Sequence, residues 1–295
     1  MAIPQRMKIA VIGRNGQLAS SFFILKNDYI KDFKFKFYGK EDIDIFEKKN
    51  INKILLEEKV DYLINTSAYH SLPECEKHPE KAFLLNEKAV ENLAFSCFTN
   101  KVGFITYSTD YVFDGKKKSP YLENDEPNPL QVYGLSKYKG EIAAITSNPT
   151  TIIIRTSSLY GGKFGSQSKG GNFVLTILKL IEAKQKLEIG SESIMSPTYA
   201  LDLAEATLKL IKKKAKGGVY HLTNKGFCSW ASFAKEIVRI KKNPCKVIPV
   251  DRSRSPSLFN RPRYSVLNNT RAFQLGINLR YWKKALKEYL YWLEN

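Results

Sequence analysis

MKIAVIGRNGQLA, residues 7–19, opens the chain's first strand–turn–helix unit. Its first half is a short apolar run that ends in glycine, the pattern of a buried parallel strand entering a tight turn. Gly13 at the strand exit permits the turn, and Gly16, after Asn15, lets the main chain come close to whatever lies in front of it. Gln17, Leu18 and Ala19 then open a helix that runs to Asn27. Free N–H groups and the dipole at such a helix start suit a pyrophosphate. The spacing is GxxGxxA rather than GxGxxG, and glycines needed only for the turn would read the same. Alone, the stretch sets a strand–turn–helix entry and leaves its ligand open.

Outward from it, KFKFYG (34–39) alternates Lys and Phe as a strand does, completing one βαβ unit with the first strand. A helix over Ile51–Lys59 and a buried strand within VDYLINTSA (60–68) follow. His78–Thr99 carries Phe83, Leu84, Val90, Leu93, Ala94 and Cys97 at near-helical spacing, and Val102–Tyr107 reads as the next strand. A long Gly-, Pro-, Asp- and Asn-rich loop covers Asp114–Pro129, a length that loops usually reach for functional reasons. Gln131–Thr146 is helical, and TTIIIRTS (150–157) is a strongly β-branched strand. This alternation predicts an α/β fold, a Rossmann-like doubly wound parallel sheet with ligands at the carboxyl ends of its strands. Beyond Tyr160 the pattern breaks into a Gly and Ser loop, a helix over Asn172–Ala183, shorter mixed elements and a final aromatic amphipathic helix, Trp282–Leu293. Residues 7–160 therefore predict a dinucleotide-binding domain. Residues 161–295 predict mostly a smaller C-terminal substrate-binding lobe, with some segments returning to the main domain.

Hydrophobic residues at 43% and charged residues at 26% exclude a disordered chain. No apolar run approaches the roughly 18–20 residues that span a bilayer. MAIPQRMKIAVIG lacks the apolar region and cleavage site of a secretory signal, so a cytoplasmic protein with no membrane partner is expected, its fold starting at Met7. Cys75, Cys97, Cys228 and Cys245 lie far apart, without a CxxC pair or a neighbouring His, and read as buried free thiols. The net charge of +18 is concentrated after Thr207, where 20 Lys and Arg face 4 Asp and Glu. Zinc-finger spacing, basic-zipper heptads and RNP-like motifs are lacking, so no nucleic-acid partner is expected. A solvated basic surface is favoured over a dedicated polyanion partner, and a nucleotide diphosphate would need only a few of these charges.

The second strand ends in Tyr38, Gly39, Lys40. An acidic residue there would suit the ribose hydroxyls of NAD, whereas a basic one suits a 2′-phosphate, so NADPH is favoured and NADH stays open. Lys40 either touches that phosphate or is simply solvated. In YGLSK, Tyr133 and Lys137 stand four apart on one helix face. An ammonium beside a phenol favours the phenolate and makes a tunable acid. Ser108, Thr109 and Asp110 follow directly on a buried strand, where a hydroxyl could bond a substrate carbonyl while the tyrosine protonates it. A turn or helix cap would use the same residues.

GxxGQLA, NTSAY, YSTDYVFDG, VYGLSKYKGE, IIRTS, SPTYALDLA and RPRYSVL occur in this order along nearly the whole chain. In this it resembles extended short-chain dehydrogenases, and most closely the dTDP-4-dehydrorhamnose reductase family. The resemblance implies a Rossmann domain, NADPH or NADH, reduction of a 4-keto group on a nucleotide-linked deoxysugar for surface polysaccharide, and room for a homodimer. It maps the catalytic residues onto Thr109, Tyr133 and Lys137. Tyr133 would give the proton, Lys137 would hold the cofactor ribose and lower the phenol pKa, and Thr109 would orient the carbonyl oxygen. Cofactor contacts fall on Gly13, Asn15, Gly16, Gln17, Leu18, Lys40, Asp44, Ser67, Ala68, Tyr69, Asn86, Ser108, Tyr133 and Lys137. Substrate contacts fall on His70, Asp110, Tyr111, Ser158, Asn172, Pro197, Thr198, Arg261 and Arg263, the arginines suiting a diphosphate.

The sequence departs from the family at places meant to touch the sugar. RTSSLY puts Ser158 where the rhamnose reductases carry tryptophan, and LPECE (72–76), beside His70, replaces VDKAE. Ser20 and Ser21 stand where some members place a glutamate for a shared magnesium, so no metal is expected. A related deoxysugar or a heptose, on a nucleotide left open, is the expected substrate. His70 is either a substrate ligand or a loop histidine bonding the main chain. Two other functions fit the same scaffold: a non-catalytic NADP(H)-binding regulatory subunit, like that of methionine adenosyltransferase, and a nucleotide-sugar epimerase or dehydratase. Asp110-Tyr111 weakens the dehydratase reading, since those enzymes carry Asp-Glu after the threonine.

Overall fold

The computed structural model describes residues 6–163, 170–251 and 260–295. Six strands form one parallel sheet: β1 (Met7–Ile12), β2 (Phe33–Tyr38), β3 (Tyr62–Asn65), β4 (Gly103–Thr109), β5 (Ile152–Thr156) and, much later in the chain, β10 (Gly218–His221). Their spatial order is β10-β5-β4-β3-β1-β2. After β2 the chain crosses back over β1 to lay down β3, so the crevice outside the carboxyl ends of β1 and β3 is the natural ligand position of this doubly wound sheet.

Both faces are buried, which is why β1 is apolar from Ile9 to Ile12. Ile9 and Val11 pack towards α1 (Gln17–Leu25), while Ala10 and Ile12 pack towards α2 (Lys48–Glu57). The strip from Leu72 to Thr99 divides into α3 (Leu72–Lys77), α4 (Pro79–Phe83), a π-helical segment (Leu84–Lys88) and α5 (Ala89–Thr99). A continuous helix was expected from His78 to Thr99. The widened turn instead swings Asn86 inward, where its side chain accepts from the Tyr69 N–H at 2.9 Å and donates to the Tyr69 carbonyl at 2.8 Å and Ser136 Oγ at 3.0 Å. No helical periodicity encodes bonds of that range. The helix α6 (Val132–Ser147) lies beside α5.

The rest of the chain builds a lobe from β6 (Leu159–Tyr160), α7 (Phe173–Ala183), β7 (Lys186–Gly190), β8 (Ile194–Met195) and β9 (Thr198–Tyr199). After β9, α8 (Ala200–Lys212) returns to the main body and packs on α1, and β10 extends the sheet beside β5. β11 (Cys228–Ser229), α9 (Trp230–Ile240), β12 (Lys246–Val250) and α11 (Trp282–Glu294) complete the lobe, while α10 (Thr270–Gln274) packs on β10 in the main body. The lobe core joins Val174 and Ile177 of α7, Phe233 and Ile237 of α9, and Trp282, Leu286 and Tyr289 of α11. The glycine and serine loop expected after Tyr160 lies largely outside the described residues, at 164–169. All four cysteines are buried thiols outside any disulfide, as their spacing implied. Among the described residues no helix is long and apolar enough to cross a membrane.

Candidate active site

A cleft of about 930 Å³ opens between the carboxyl ends of the sheet strands and the lobe. At one end lies the first turn. Gly13 has φ +95°, and a Cβ there would sit 2.7 Å from Thr66 Oγ1 and 3.1 Å from the Ser67 N–H nitrogen, so only glycine fits. The start of α1 has no side-chain cap, which leaves its first N–H groups for a ligand. Gly13, Asn15, Gly16, Gln17 and Leu18 all line the cleft, together with Lys40, Ser67, Ala68 and Ser108. Asp44 does not: its carboxylate accepts the Phe46 N–H in an exposed loop. Tyr69 and Asn86 also stand off the wall, since Asn86 is fully buried and clamps the Tyr69 main chain from behind.

The strand β4 runs to Thr109, two residues beyond the expected end, because Ser108 and Thr109 continue the ladder with β5. Thr109 then caps a 3-10 turn, Asp110–Val112, by accepting the Tyr111 N–H at 3.2 Å. Gln131 caps α6 in the same manner, its Oε1 accepting the Gly134 N–H at 2.9 Å. A Cβ on Gly134 would fall 2.1 Å from the Tyr111 carbonyl oxygen. The missing side chain is thus what lets the first turn of α6 close on the strand end and set the Tyr133 ring against Tyr111, centroids 6.1 Å apart.

Thr109, Tyr133 and Lys137 meet on one wall. Burial holds the Tyr133 phenol above its ordinary pKa, and the charge of Asp110 pushes the same way, while a hydrogen bond with Thr109 opposes them. Lys137 is 4% exposed, and burial lowers its ammonium to about 8, against a raising influence from Glu141 one turn on. Burial rather than Lys137 sets the direction of the phenol's shift, so the expected lowering by Lys137 is not seen. Glu141 itself holds Arg155 of β5 through two hydrogen bonds, 2.9 and 2.6 Å.

On the substrate side His70, Asp110, Tyr111, Ser158, Asn172 and Arg261 line the cleft. His70 Nδ1 lies 3.2 Å from the Ala68 carbonyl, the main-chain bond of a loop histidine. Ser158 takes a left-handed conformation, φ +46°, and its carbonyl accepts the Thr198 N–H at 3.3 Å. Asn172 caps α7 and donates to Tyr289 Oη at 3.1 Å and the Gly161 carbonyl at 3.2 Å, which ties most of its polarity to the lobe. Pro197 and Thr198 are buried behind the wall, and Arg263 is exposed beyond it, its carbonyl accepting the Ile194 N–H at 2.8 Å.

Other cleft residues escaped sequence reasoning. Arg14 lines the turn end and pairs with Glu41 and, at 2.9 Å, with Asp42. A cation inside the glycine turn was a usable signal. Thr156 ends β5 as Thr109 ends β4, so the strand-end rule would have found it. Glu188, Glu192, Phe173 and Trp230 come from lobe elements whose approach to the sheet no local pattern announces; the last two rings lie 4.6 Å apart. Gln17 Oε1, Ser108 Oγ and Thr156 Oγ1 are buried in the cleft wall without protein partners. Polar atoms so placed suit a polar ligand, and the uncapped turn suits its phosphates.

The sheet order, the glycine turn at the switch point and the Tyr-x-x-x-Lys pair on α6 beside the end of β4 define the class as a Rossmann-type α/β protein. The chain belongs to the dTDP-4-dehydrorhamnose reductase family: a family model described as the RmlD substrate binding domain matches residues 7–294. It is 35% identical to the spore coat polysaccharide biosynthesis protein SpsK of Bacillus subtilis (strain 168), with 96% of each chain covered. Among solved structures, a dTDP-4-dehydrorhamnose reductase from Clostridium acetobutylicum superposes with TM-score 0.90 at 35% identity, covering 98% of this chain and 100% of that one. The dTDP-4-dehydrorhamnose reductase of Bacillus anthracis in complex with NADP superposes with TM-score 0.89 at 28% identity, covering 97% and 99%.

Proposed function

We propose that the protein is an NAD(P)H-dependent reductase of the 4-keto group of a nucleotide-linked deoxysugar, serving surface polysaccharide biosynthesis. The observation that carries this reading is the meeting of Thr109, Tyr133 and Lys137 on one wall of a cleft whose far end is an uncapped, glycine-walled helix start. The turn from Gly13 to Leu18, with Ser67, Ala68, Ser108 and Lys137, would hold the cofactor. Arg14 and Lys40 put two cations at the end of β2, which favours NADPH, while Glu41 and Asp42 beside Arg14 keep NADH open. When bound, the cofactor supplies hydride to the carbonyl carbon.

The protein's own part is the proton and the orientation. A phenol held above its ordinary pKa keeps its proton at neutral pH until negative charge builds on the carbonyl oxygen, and Tyr133 then transfers it. Thr109 positions that oxygen at the strand end. The Lys137 ammonium, out of water, is a strong local charge for the ribose hydroxyls and the developing alkoxide. Asp110, Ser158 and Arg261 face the side where sugar and diphosphate would lie. The same reading places a homodimer in the cytoplasm, which light scattering and cell fractionation would check.

Incubation with NADPH and a panel of 4-keto nucleotide sugars tests the reading by loss of reduced cofactor. Tight NADPH binding without oxidation by any sugar would turn it towards a regulatory subunit. Sugar conversion without net cofactor consumption would turn it towards an epimerase.

A further inference from the structure

We propose that Asp110 is a positioning residue whose protonation decides whether Thr109 has a proton to offer the substrate carbonyl; the proposal rests on the reductase reading. A threonine hydroxyl has one proton and two lone pairs. In the structure Thr109 Oγ1 accepts from the Tyr111 N–H at 3.2 Å, is hydrogen-bonded to Tyr133, and donates to Asp110 Oδ1 at 3.2 Å. With its one proton on Asp110, Thr109 has none left to donate to the Tyr133 oxygen or to a carbonyl oxygen.

Asp110 is 3% exposed, and its other oxygen accepts from Ser157 Oγ at 2.8 Å. Ser265 reaches it from the C-terminal segment, which β8 holds through the Ser265 N–H and the Ile194 carbonyl at 2.9 Å. Its charge is held by hydroxyls rather than by a cation, and burial outweighs them, so the carboxyl is pushed up to about 6. The groups around it leave that balance in place. Tyr111 on the same turn and Tyr133 on α6 are neutral phenols raised by burial. Cys75 of α3 lies beside Tyr133, Arg261 acts on Tyr111, Lys137 sits a turn beyond Tyr133, and Arg155 of β5 is committed to Glu141.

As a carboxylate, Asp110 takes the Thr109 proton in a charge-assisted bond. As a neutral acid it donates its own O–H to Thr109, whose proton then turns into the cleft. In turnover the Tyr133 O–H bond breaks as the product O–H bond forms, and Asp110 neither gains nor loses a proton. Reduction is fast with Asp110 protonated and slows as pH rises through its pKa.

The test is the pH profile of kcat for the wild type and Asp110→Asn, with NADPH and a 4-keto nucleotide sugar that the wild type reduces. The asparagine amide donates to Thr109 as the neutral acid would. Wild-type kcat should fall about tenfold or more from about pH 5.5 to about pH 7.5, while the variant stays flat and exceeds the wild type at the upper end. A variant that keeps the wild-type inflection, or one that is folded yet as inactive at every pH as Thr109→Val, overturns the proposal. Should Asp110→Asn not fold, Ser157→Ala decides: losing that donor raises the Asp110 pKa, so the inflection must move to higher pH, and an unmoved inflection overturns the proposal. A wild type that oxidises NADPH with no 4-keto sugar removes the reductase reading and this inference with it. An active wild type with an unaltered variant profile removes this inference alone.

Discussion

At the scale of single residues, the site consists of groups placed where folding alone would not put them. Lys137 is an ammonium buried in a wall, with only the already committed Glu141 to favour its charge. Its folded pKa, about 8, lies below the ordinary lysine value, so the unfolded chain binds the extra proton and stability rises with pH from about 8 towards the ordinary value. Below that window the buried charge costs the fold in full. Lys137→Met should therefore raise the urea midpoint at neutral pH, by about 1–3 kcal/mol of unfolding free energy, while turnover collapses. Denaturation and NADPH oxidation on the same preparation check both halves. Tyr133, Lys137 and Thr109 were readable because the chemistry fixes their types and the strand-end and helix positions fix their spacing. Asn86, Thr198 and Arg263 lie off the cleft wall, because family position says only that a residue is near a site, whereas packing decides whether it faces it.

Among elements, the contact that assembles the site is that between the first turn of α6 and the turn after β4. It depends on Gly134, whose missing side chain admits the Tyr111 carbonyl. Gly134→Ala should push α6 outward, lowering stability by about 1–3 kcal/mol and reducing kcat more than cofactor affinity, because the phosphate end of the cleft is not touched. Kinetics set beside NADPH titration would show that division. Behind the same helix, Glu141 and Arg155 pin α6 to β5. The strands up to β5 and helices α1, α2, α5 and α6 were legible from apolar runs and helical spacing, since each is decided by its own residues, whereas the short α3 was not. The π-helical turn was not, because it follows from Asn86 bonding a loop seventeen positions back.

Across the whole molecule, the lobe and the sheet are not separable. Leu203, Ala204, Leu208 and Ile211 of α8 close one face of the main core, and β10 covers what would otherwise be the open edge of β5. A fragment ending at Tyr160 should therefore fail to fold and should aggregate through that edge, which circular dichroism and gel filtration would register. The return of β10 could not be read as a sheet strand from its four residues, which carry no long apolar run. The basic C-terminal stretch also reads differently in three dimensions. Lys212 pairs with Asp32 and Arg280 with Asp202 from outside the stretch, while its own Glu236, Glu294 and Glu288 pair with Arg239, Lys241 and Arg280, so part of its charge is answered at the surface. That supports a solvated surface.

The proton for reduction of a keto-sugar is proposed to come from Tyr133, and turnover of Tyr133→Phe is the measurement that decides it. The predicted result is a loss of at least about a hundredfold in kcat with the reduced cofactor bound as tightly as before, the scale of lost acid catalysis. Unchanged turnover on the same sugar would contradict it.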